Sequence, residues 1–466
     1  IFFSTAEVEE RAVPDFGLDR GQKAYAFGEF QLHLKIIGLN KVQLQWIKPD
    51  GDSQKSVPSF VKTKKKYQNL LKKVKAEAKQ IKKQFSIQKE RLDRSFIQNR
   101  IWSYENFTQY YFNHGLIHPL VRTLIWEFEL DGQFVAAIFH EGRWIDQKDV
   151  VINSIPPETR VRLWHPITNT IENITGWRDK LMQLELKQLI KQAYREIYLL
   201  TDAEVQTKVY SNRMAAHLLK QHQFNSLAKL RGWRYSLLGA FDDGRAGSIA
   251  RLAISEHQLE AQFWINEMRS EDQYNTLGIW NYIATDQVRF VKSSGEALDL
   301  VDVPQLVFSE VMRHVDLFIG VCSVGNDPQW QDTGGLPQYQ DYWTSYSFGQ
   351  LTQIAINRKA ILEKLLPRLT ISKVASIEGK YLKVKGHLRN YKIHIGSGNI
   401  LMEPNDQYLC IVPDSRERGK TTKVFLPFEG DQVLSIILSK AFMLAADDKI
   451  KDTSIVSQIS FIVSGR

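Results

Sequence analysis

Hydrophobic and polar positions change rhythm several times along this chain, and each rhythm predicts a different element. Residues 30–36 alternate, 42–47 alternate again, and Pro49-Asp50-Gly51-Asp52 has turn chemistry, so 1–60 reads as a β-rich, truncated N-terminal piece. From Tyr67 the period lengthens. Tyr67, Leu71, Val74, Ala78, Ile81, Phe85 and Leu92 follow the four-then-three spacing of a heptad seam, which predicts one long amphipathic helix in the segment 61–100. Residues 101–176 read as a hairpin-rich unit, with a short helix at 104–111 and strands at 124–130 and 134–139 flanking Asp131-Gly132.

From Gly176 to Arg231 the pattern is helical. Thr201-Asp202-Ala203-Glu204 has the form of a capping box and predicts two helices of about 20 and 27 residues, the second closed by Gly232. Strands are expected near 249–254 and 260–266. Pro304 opens an apolar helix through Val315 that runs into a buried strand at 317–321, and a further helix over 349–365 ends at Pro367. Beyond it come strands at 369–375, 380–385, 389–395, 399–402, 408–412 and 423–427, then helices at 431–446 and 453–461. The expected class is α+β in several units, with mixed sheets, packed helices and one long basic helix; 177–367 forms a central α/β domain and 368–466 a β-rich module with terminal helices.

Composition narrows the classes. The chain has 466 residues, 43% hydrophobic and 24% charged, which excludes disorder and rod-like folds for the whole and predicts more than one core. No apolar run approaches the roughly 20 residues that span a bilayer, so no membrane contact is expected. Two cysteines, Cys322 and Cys410, exclude a disulfide scaffold or an all-cysteine metal site. Sparse cysteine and the absence of a leader point to the cytoplasm, and a start at Ile1 suggests a piece of something longer.

Charge changes the picture most. The formal net charge is +9, yet residues 61–94 hold eleven Lys and two Arg against Glu77, Glu90 and Asp93, so the remaining residues sum to about −1. Lys72, Lys73, Lys75, Lys79, Lys82 and Lys83 sit on the faces left free by the seam. The plainer reading is a connecting helix with solvated lysines. The functional one is contact with nucleic acid or another polyanion, since clustered lysines release phosphate counterions.

Chemical motifs are sparse. Gly419-Lys420-Thr421 resembles the tail of a phosphate loop, but Asp414 stands where the motif needs Gly, and a charged hairpin loop explains it. His114 and His118 lie four apart, but Gly115 and Pro119 break the helix and no third ligand follows, so both are read as structural. Asp286, Glu310 and Asp316 could make a metal-dependent nuclease site only if the fold joined them. Two glycine-bearing turns carry most interest. In Gly325-Asn326-Asp327, Gly325 is expected at positive φ, and Ser323 or Cys322 has only His314 as a nearby base. In the second, Gly396-Ser397-Gly398-Asn399 could present amides to an anion, with Lys392 and His394 as cationic or proton-transfer groups; a tight hairpin is the plainer alternative. No cofactor and no metal is assigned.

Long motifs carry a resemblance: Tyr210-Ser211-Asn212-Arg213-Met214-Ala215-Ala216-His217, Arg231-Gly232-Trp233, Thr285-Asp286-Gln287-Val288-Arg289-Phe290, Tyr342-Trp343 with Ser347-Phe348-Gly349, and Tyr391-Lys392-Ile393-His394 through Pro413. Over roughly residues 40 to 460 the chain resembles the MolR-like (molybdate metabolism regulator-like) family, known only as domain of unknown function four-one-three-two. The resemblance implies a large, mostly bacterial, intracellular protein. Some members carry a Trp-Gly-Arg (WGR) domain, and some are encoded near MoxR-type AAA+ ATPases, which would be expected partners. It implies no catalytic residue. Two functions follow as expectations: a regulatory or interaction scaffold that contacts nucleic acid through the basic helix, or an enzyme acting on a phosphate-containing substrate at the 396–399 turn.

Overall fold

The computed structural model describes residues 13–239, 247–268, 274–326, 340–411 and 425–460. It divides into two compact units, Ile1–Arg195 with Leu426–Gly430, and Glu196–Phe425 with Asp431–Arg466.

In the first unit, β1 (Gln22–Phe27), β2 (Phe30–Gly38), β3 (Lys41–Ile47) and β4 (Ser53–Gln54) form an antiparallel sheet in sequence order. A short helix, α1 (Ser59–Thr63), precedes α2 (Lys65–Gln98). At 1.5 Å per residue α2 is about 50 Å long. Its seam packs as its period requires: Ile81, Phe85, Leu92 and Phe96 join one core cluster with Leu34, Ile36, Trp102 and Trp126, and Val74 joins Val61, Phe27, Leu32 and Trp46 in another. The helix is not a free-standing rod, because Gln88, Arg91, Asp93 and Ser95 are also buried in its C-terminal half.

The second sheet of this unit has the order β5 (Ile101–Ser103), β9 (Arg160–Leu163), β6 (Ile125–Leu130), β7 (Gln133–His140), β8 (Arg143–Ile145), with the short helices α3 (Tyr104–Phe107) and α4 (His118–Val121) beside it. Asp131 and Gly132 turn the β6–β7 hairpin at φ 49° and 75°, the left-handed pair that a two-residue turn needs. The expected helix of about 20 residues stops early. Helix α5 (Ile171–Gln183) ends where Glu185 takes φ 46°, and the chain continues without regular structure. Buried side chains satisfy the backbone there: Gln192 Nε2 donates to the Ile125 and Trp164 carbonyls at 2.8 Å each, and its Oε1 accepts the Ile125 amide at 2.7 Å. Residues 426–430 complete the unit. The Gln188 amide donates to Pro427 O at 2.9 Å, the Glu429 amide donates to Gln188 O at 3.0 Å, and the Glu429 carboxylate accepts the Leu39 amide at 2.9 Å.

The second unit opens with α6 (Asp202–Thr207), whose capping box is formed as expected by Thr201 and Glu204. The expected continuous helix is instead interrupted: Lys208 turns at φ 63°, β10 (Tyr210–Ser211) and β11 (Leu218–Lys220) follow, and only α7 (Gln221–Leu230) is helical, with Gly232 beyond it at φ 83°. Both short strands pair with β14 (Tyr282–Lys292), which continues the sheet to β13 (Leu259–Glu267) and β12 (Gly247–Ile254). The expected strand at 317–321 is not formed. Helix α8 runs unbroken over Gln305–Cys322, and because residues 307–316 are all buried its apolar period is hidden. After α9 (Gln340–Phe348) and α10 (Gln353–Leu365), residues 366–374 make helical turns rather than the expected strand. An antiparallel meander follows: β15 (Ala375–Glu378), β16 (Tyr381–Lys385), β17 (Asn390–His394), β18 (Ile400–Met402), β19 (Gln407–Leu409). Helices α11 (Gln432–Leu444) and α12 (Thr453–Ser460) end the described chain, and α11 packs on β16 and β17. The mixed α+β class holds, with four antiparallel sheets among the described residues.

Candidate functional site

Lysines on the outer face of α2 are placed by the helical period. At about 100° per residue, Lys72, Lys79 and Lys83 fall within roughly 40° of one another, with Lys75 and Lys82 beside them and Lys73 on a separate flank. Among the described residues none of these six has a carboxylate partner, and all six are exposed. The acidic residues of the helix are already paired: Glu77 holds Lys23 at 2.8 Å, Glu90 holds Lys89 at 2.9 Å, and Asp93 holds Arg195 at 2.8 Å with both side chains enclosed. The helix also begins against its own dipole, with Lys64 as N-cap, Lys65 and Lys66 in the first turn, no acidic residue there and no side-chain cap. Between α1 and α2 lies an open trough of about 520 Å³ lined by Val57, Val61, Leu71 and Ala76, with Lys62, Lys72, Lys75 and Lys79 along it.

The 394–399 turn is wired differently from the expected anion cradle. His394 Nδ1 accepts the Ser397 amide at 3.1 Å, the Gly398 amide goes to His394 O at 2.8 Å, and the Asn399 amide goes to Ser397 Oγ at 3.2 Å. Those three amides are spent inside the turn. Gly396 is needed for close approach, since a Cβ there would lie 2.8 Å from His394 Cε1, whereas Gly398 is at φ +76°. His394 Nε2 donates to Gly349 O at 3.0 Å, and Ser397 Oγ reaches Ser347 O at 2.7 Å, so the turn fastens the end of α9. Burial pushes the His394 imidazole down to about 4, which makes it neutral at pH 7 rather than cationic. Lys392 shares its strand face, with the Tyr381 ring beside both, but its ammonium pairs with Asp406 at 2.5 Å.

The other glycine turn meets the same helix. The Gly325 amide donates to Ser323 Oγ at 3.1 Å, and Asn326 Nδ2 donates to Gly320 O at 2.8 Å and to the Tyr346 hydroxyl at 3.2 Å. Gly325 does not take positive φ. Glycine is required because a Cβ would lie 2.4 Å from the Tyr346 ring. Asp327 lies outside the described residues, as do Gly419, Lys420 and Thr421. Tyr346 also lines a cavity of about 220 Å³ together with His217, Tyr342, Gln350, His394 and Gly396. The two turns thus converge on α9, but only the 394–399 turn reaches the cavity.

Sequence reasoning missed the most connected group here. The Tyr342 hydroxyl sits 2.8 Å from Ser323 Oγ and 3.3 Å from His217 Nδ1, and burial holds His217 below the usual imidazole range. No local spacing could show it, since His217 and Tyr342 are 125 residues apart. His314, the expected base for Ser323, accepts the Trp233 indole N–H at 3.2 Å instead. His114 and His118 are structural: the Leu116 amide donates to His114 Nδ1 at 3.2 Å, and His118 Nδ1 meets Phe112 O.

Asp286, Glu310 and Asp316 do not form a metal-type cluster. Asp316 bonds the Tyr198 hydroxyl, and Glu310 is enclosed within α8. Among the described residues one group, His387, Asp447 and Asp448, brings three ligand atoms within 4.8 Å. The Asp447 carboxylate already accepts the amides of His387, Leu388 and Arg389 and the Tyr391 hydroxyl, so it organises the 386–389 turn.

Comparison with known proteins divides the chain. Residues 51–233 match the family described as Domain of unknown function (DUF4132). Residues 355–459 match a separate one, Domain of unknown function (DUF7737), where a single family was expected to run to the C-terminus. No curated protein and no solved structure matches the chain. Among the described residues no helix is long and apolar enough to cross a membrane.

Proposed function

We propose that this chain is an interaction module that holds an anionic macromolecule along the outer face of α2. One observation carries the reading: six exposed lysines without a carboxylate partner among the described residues lie on a single helix whose acidic residues are already paired. Unneutralised clustered charge costs self-repulsion, and the cationic first turn adds roughly 0.3–1 kcal/mol of unfavourable dipole interaction per charge. A polyanion lying on the stripe relieves both. The test is binding of fluorescent duplex DNA and of poly-glutamate to the full chain across a salt series. Five lysine contacts on that face would give duplex DNA a slope of log K on log salt of about −4.5, and the triple variant Lys72→Ala, Lys75→Ala, Lys79→Ala would lower that slope by about 3. No binding of either probe at low salt ends the proposal.

A second reading is favoured by His217. Its Nδ1 meets Tyr342, the ring is held neutral, and it lines a cavity with uncharged polar groups, a setting for a general base acting on a small uncharged substrate. The spent amides at 397–399 weigh against a phosphate there. A thermal-shift screen of uncharged small molecules, repeated on His217→Ala, tests it: a hit that persists in the variant counts against the site.

A further inference from the structure

We propose that the trough between α1 and the N-terminal half of α2 seats an acidic, amphipathic helix of a partner protein. This rests on the reading of α2 as an anion-binding face and names the partner. A lysine stripe alone would serve any polyanion. What distinguishes this surface is that the lysines are mixed with an apolar floor: Val57, Val61, Leu71 and Ala76 line the same trough as Lys62, Lys72, Lys75 and Lys79. None of the four lysines has a carboxylate partner among the described residues. Phosphate backbones gain nothing from such a floor.

Nor does the surface suit nucleic acid in other ways. Single strands need free aromatic faces, but Phe60 and Tyr67 are packed on each other at 5.3 Å between ring centroids, with Phe30 at 5.4 Å and Phe27 at 5.9 Å behind them. Base edges are read chiefly by Arg, Asn and Gln, and Gln68 is the one such residue on the lining. A helix with apolar residues at i, i+3 or i+4, and i+7 fits: from Gln68 to Lys79 the trough follows α2 for three turns, about 16 Å, and is lined by cations from both helices. Acidic residues flanking the apolar stripe of such a helix would meet the lysines, while the lysine stems extend the floor. The floor sets affinity, and the border charges set encounter rate and salt dependence.

The experiment uses the full chain and three fluorescent probes of matched net charge: a Glu/Leu peptide with helical apolar spacing, a peptide of the same composition with that spacing scrambled, and a short DNA duplex. The patterned peptide is expected to bind at least tenfold more tightly than either other probe. Ala76→Trp, at an exposed helix position, fills the trough without changing charge; it is expected to weaken the patterned peptide at least tenfold and to leave the other two within twofold. Lys72→Ala with Lys79→Ala weakens all three. Equal binding of scrambled peptide or duplex, or an unaffected Ala76→Trp variant, overturns the helix-seating proposal and leaves the anion-binding face standing. No binding by any probe at low salt overturns both. Sedimentation of the chain alone covers the remaining occupant: self-association abolished by Ala76→Trp would assign the trough to a second copy and also overturn the proposal.

Discussion

His394 is committed in its neutral form. Nδ1 accepts the Ser397 amide while Nε2 donates to Gly349 O, so a proton added at Nδ1 removes an acceptor the turn depends on. Its folded pKa of about 4 lies below the ordinary imidazole value of 6.5. The folded state therefore binds fewer protons than the unfolded chain between those values. The stabilisation is fully present above pH 6.5 and is lost as pH falls toward 4, by up to about 3 kcal/mol for this group. Urea midpoints from pH 7 to 4 should fall less steeply in His394→Gln than in the native chain; parallel curves would show that the imidazole is not what titrates. The same residue shows what sequence offers at this scale. Alternation along 391–395 put Lys392 and His394 on one face and was right, but alternation is silent on burial, which turns a supposed cation into a neutral latch. Gly325 gives a similar lesson: a glycine was required, for the approach of Tyr346 rather than for its φ.

Elements were legible where their signals were local. The Asp131-Gly132 hairpin, the Thr201–Glu204 capping box and the seam of α2 each depend on neighbours a few residues away, and each formed where expected. Non-local wiring was not. Residues 184–195 carry a helical pattern, yet Gln188 and Gln192 spend their side chains on the distant backbone of Thr123, Ile125 and Trp164, and that outweighs propensity. Replacing Gln192 with Leu keeps the volume and removes three hydrogen bonds to buried backbone groups of Ile125 and Trp164. Each orphaned group costs about 1–3 kcal/mol, so a loss on the order of 3 kcal/mol or more is expected in chemical denaturation. A cost under about 1 kcal/mol would mean that water or another side chain fills the site. Helix α8 illustrates the opposite failure: residues 307–316 are all buried, polar and apolar alike, so its pattern marks no solvent face.

At the scale of the whole molecule, the chain divides into two compact units. A perturbation inside one should stay there. Glu429→Ala removes the acceptor of the Leu39 amide and the partner of Lys187, 3.2 Å away, so hydrogen exchange at Leu39 should quicken at least tenfold while β16 and β17 keep their protection. Faster exchange in the meander as well would show that the units open together. The candidate sites follow the same division. The trough lies wholly within the first unit and the His217 cavity wholly within the second, so binding at each can be measured against variants of the other as internal controls.

Residues 426–430 belong to a body whose remaining chain ends at Arg195. On a ribosome the half made first can therefore close only after most of the other half has been made. At about 5–20 residues per second, the roughly 230 residues in between take on the order of 10–50 seconds to emerge. Throughout that interval Leu39 and Gln188 wait for the five residues that will close over them, and the lysine-rich helix is exposed to the cell before its own scaffold is closed.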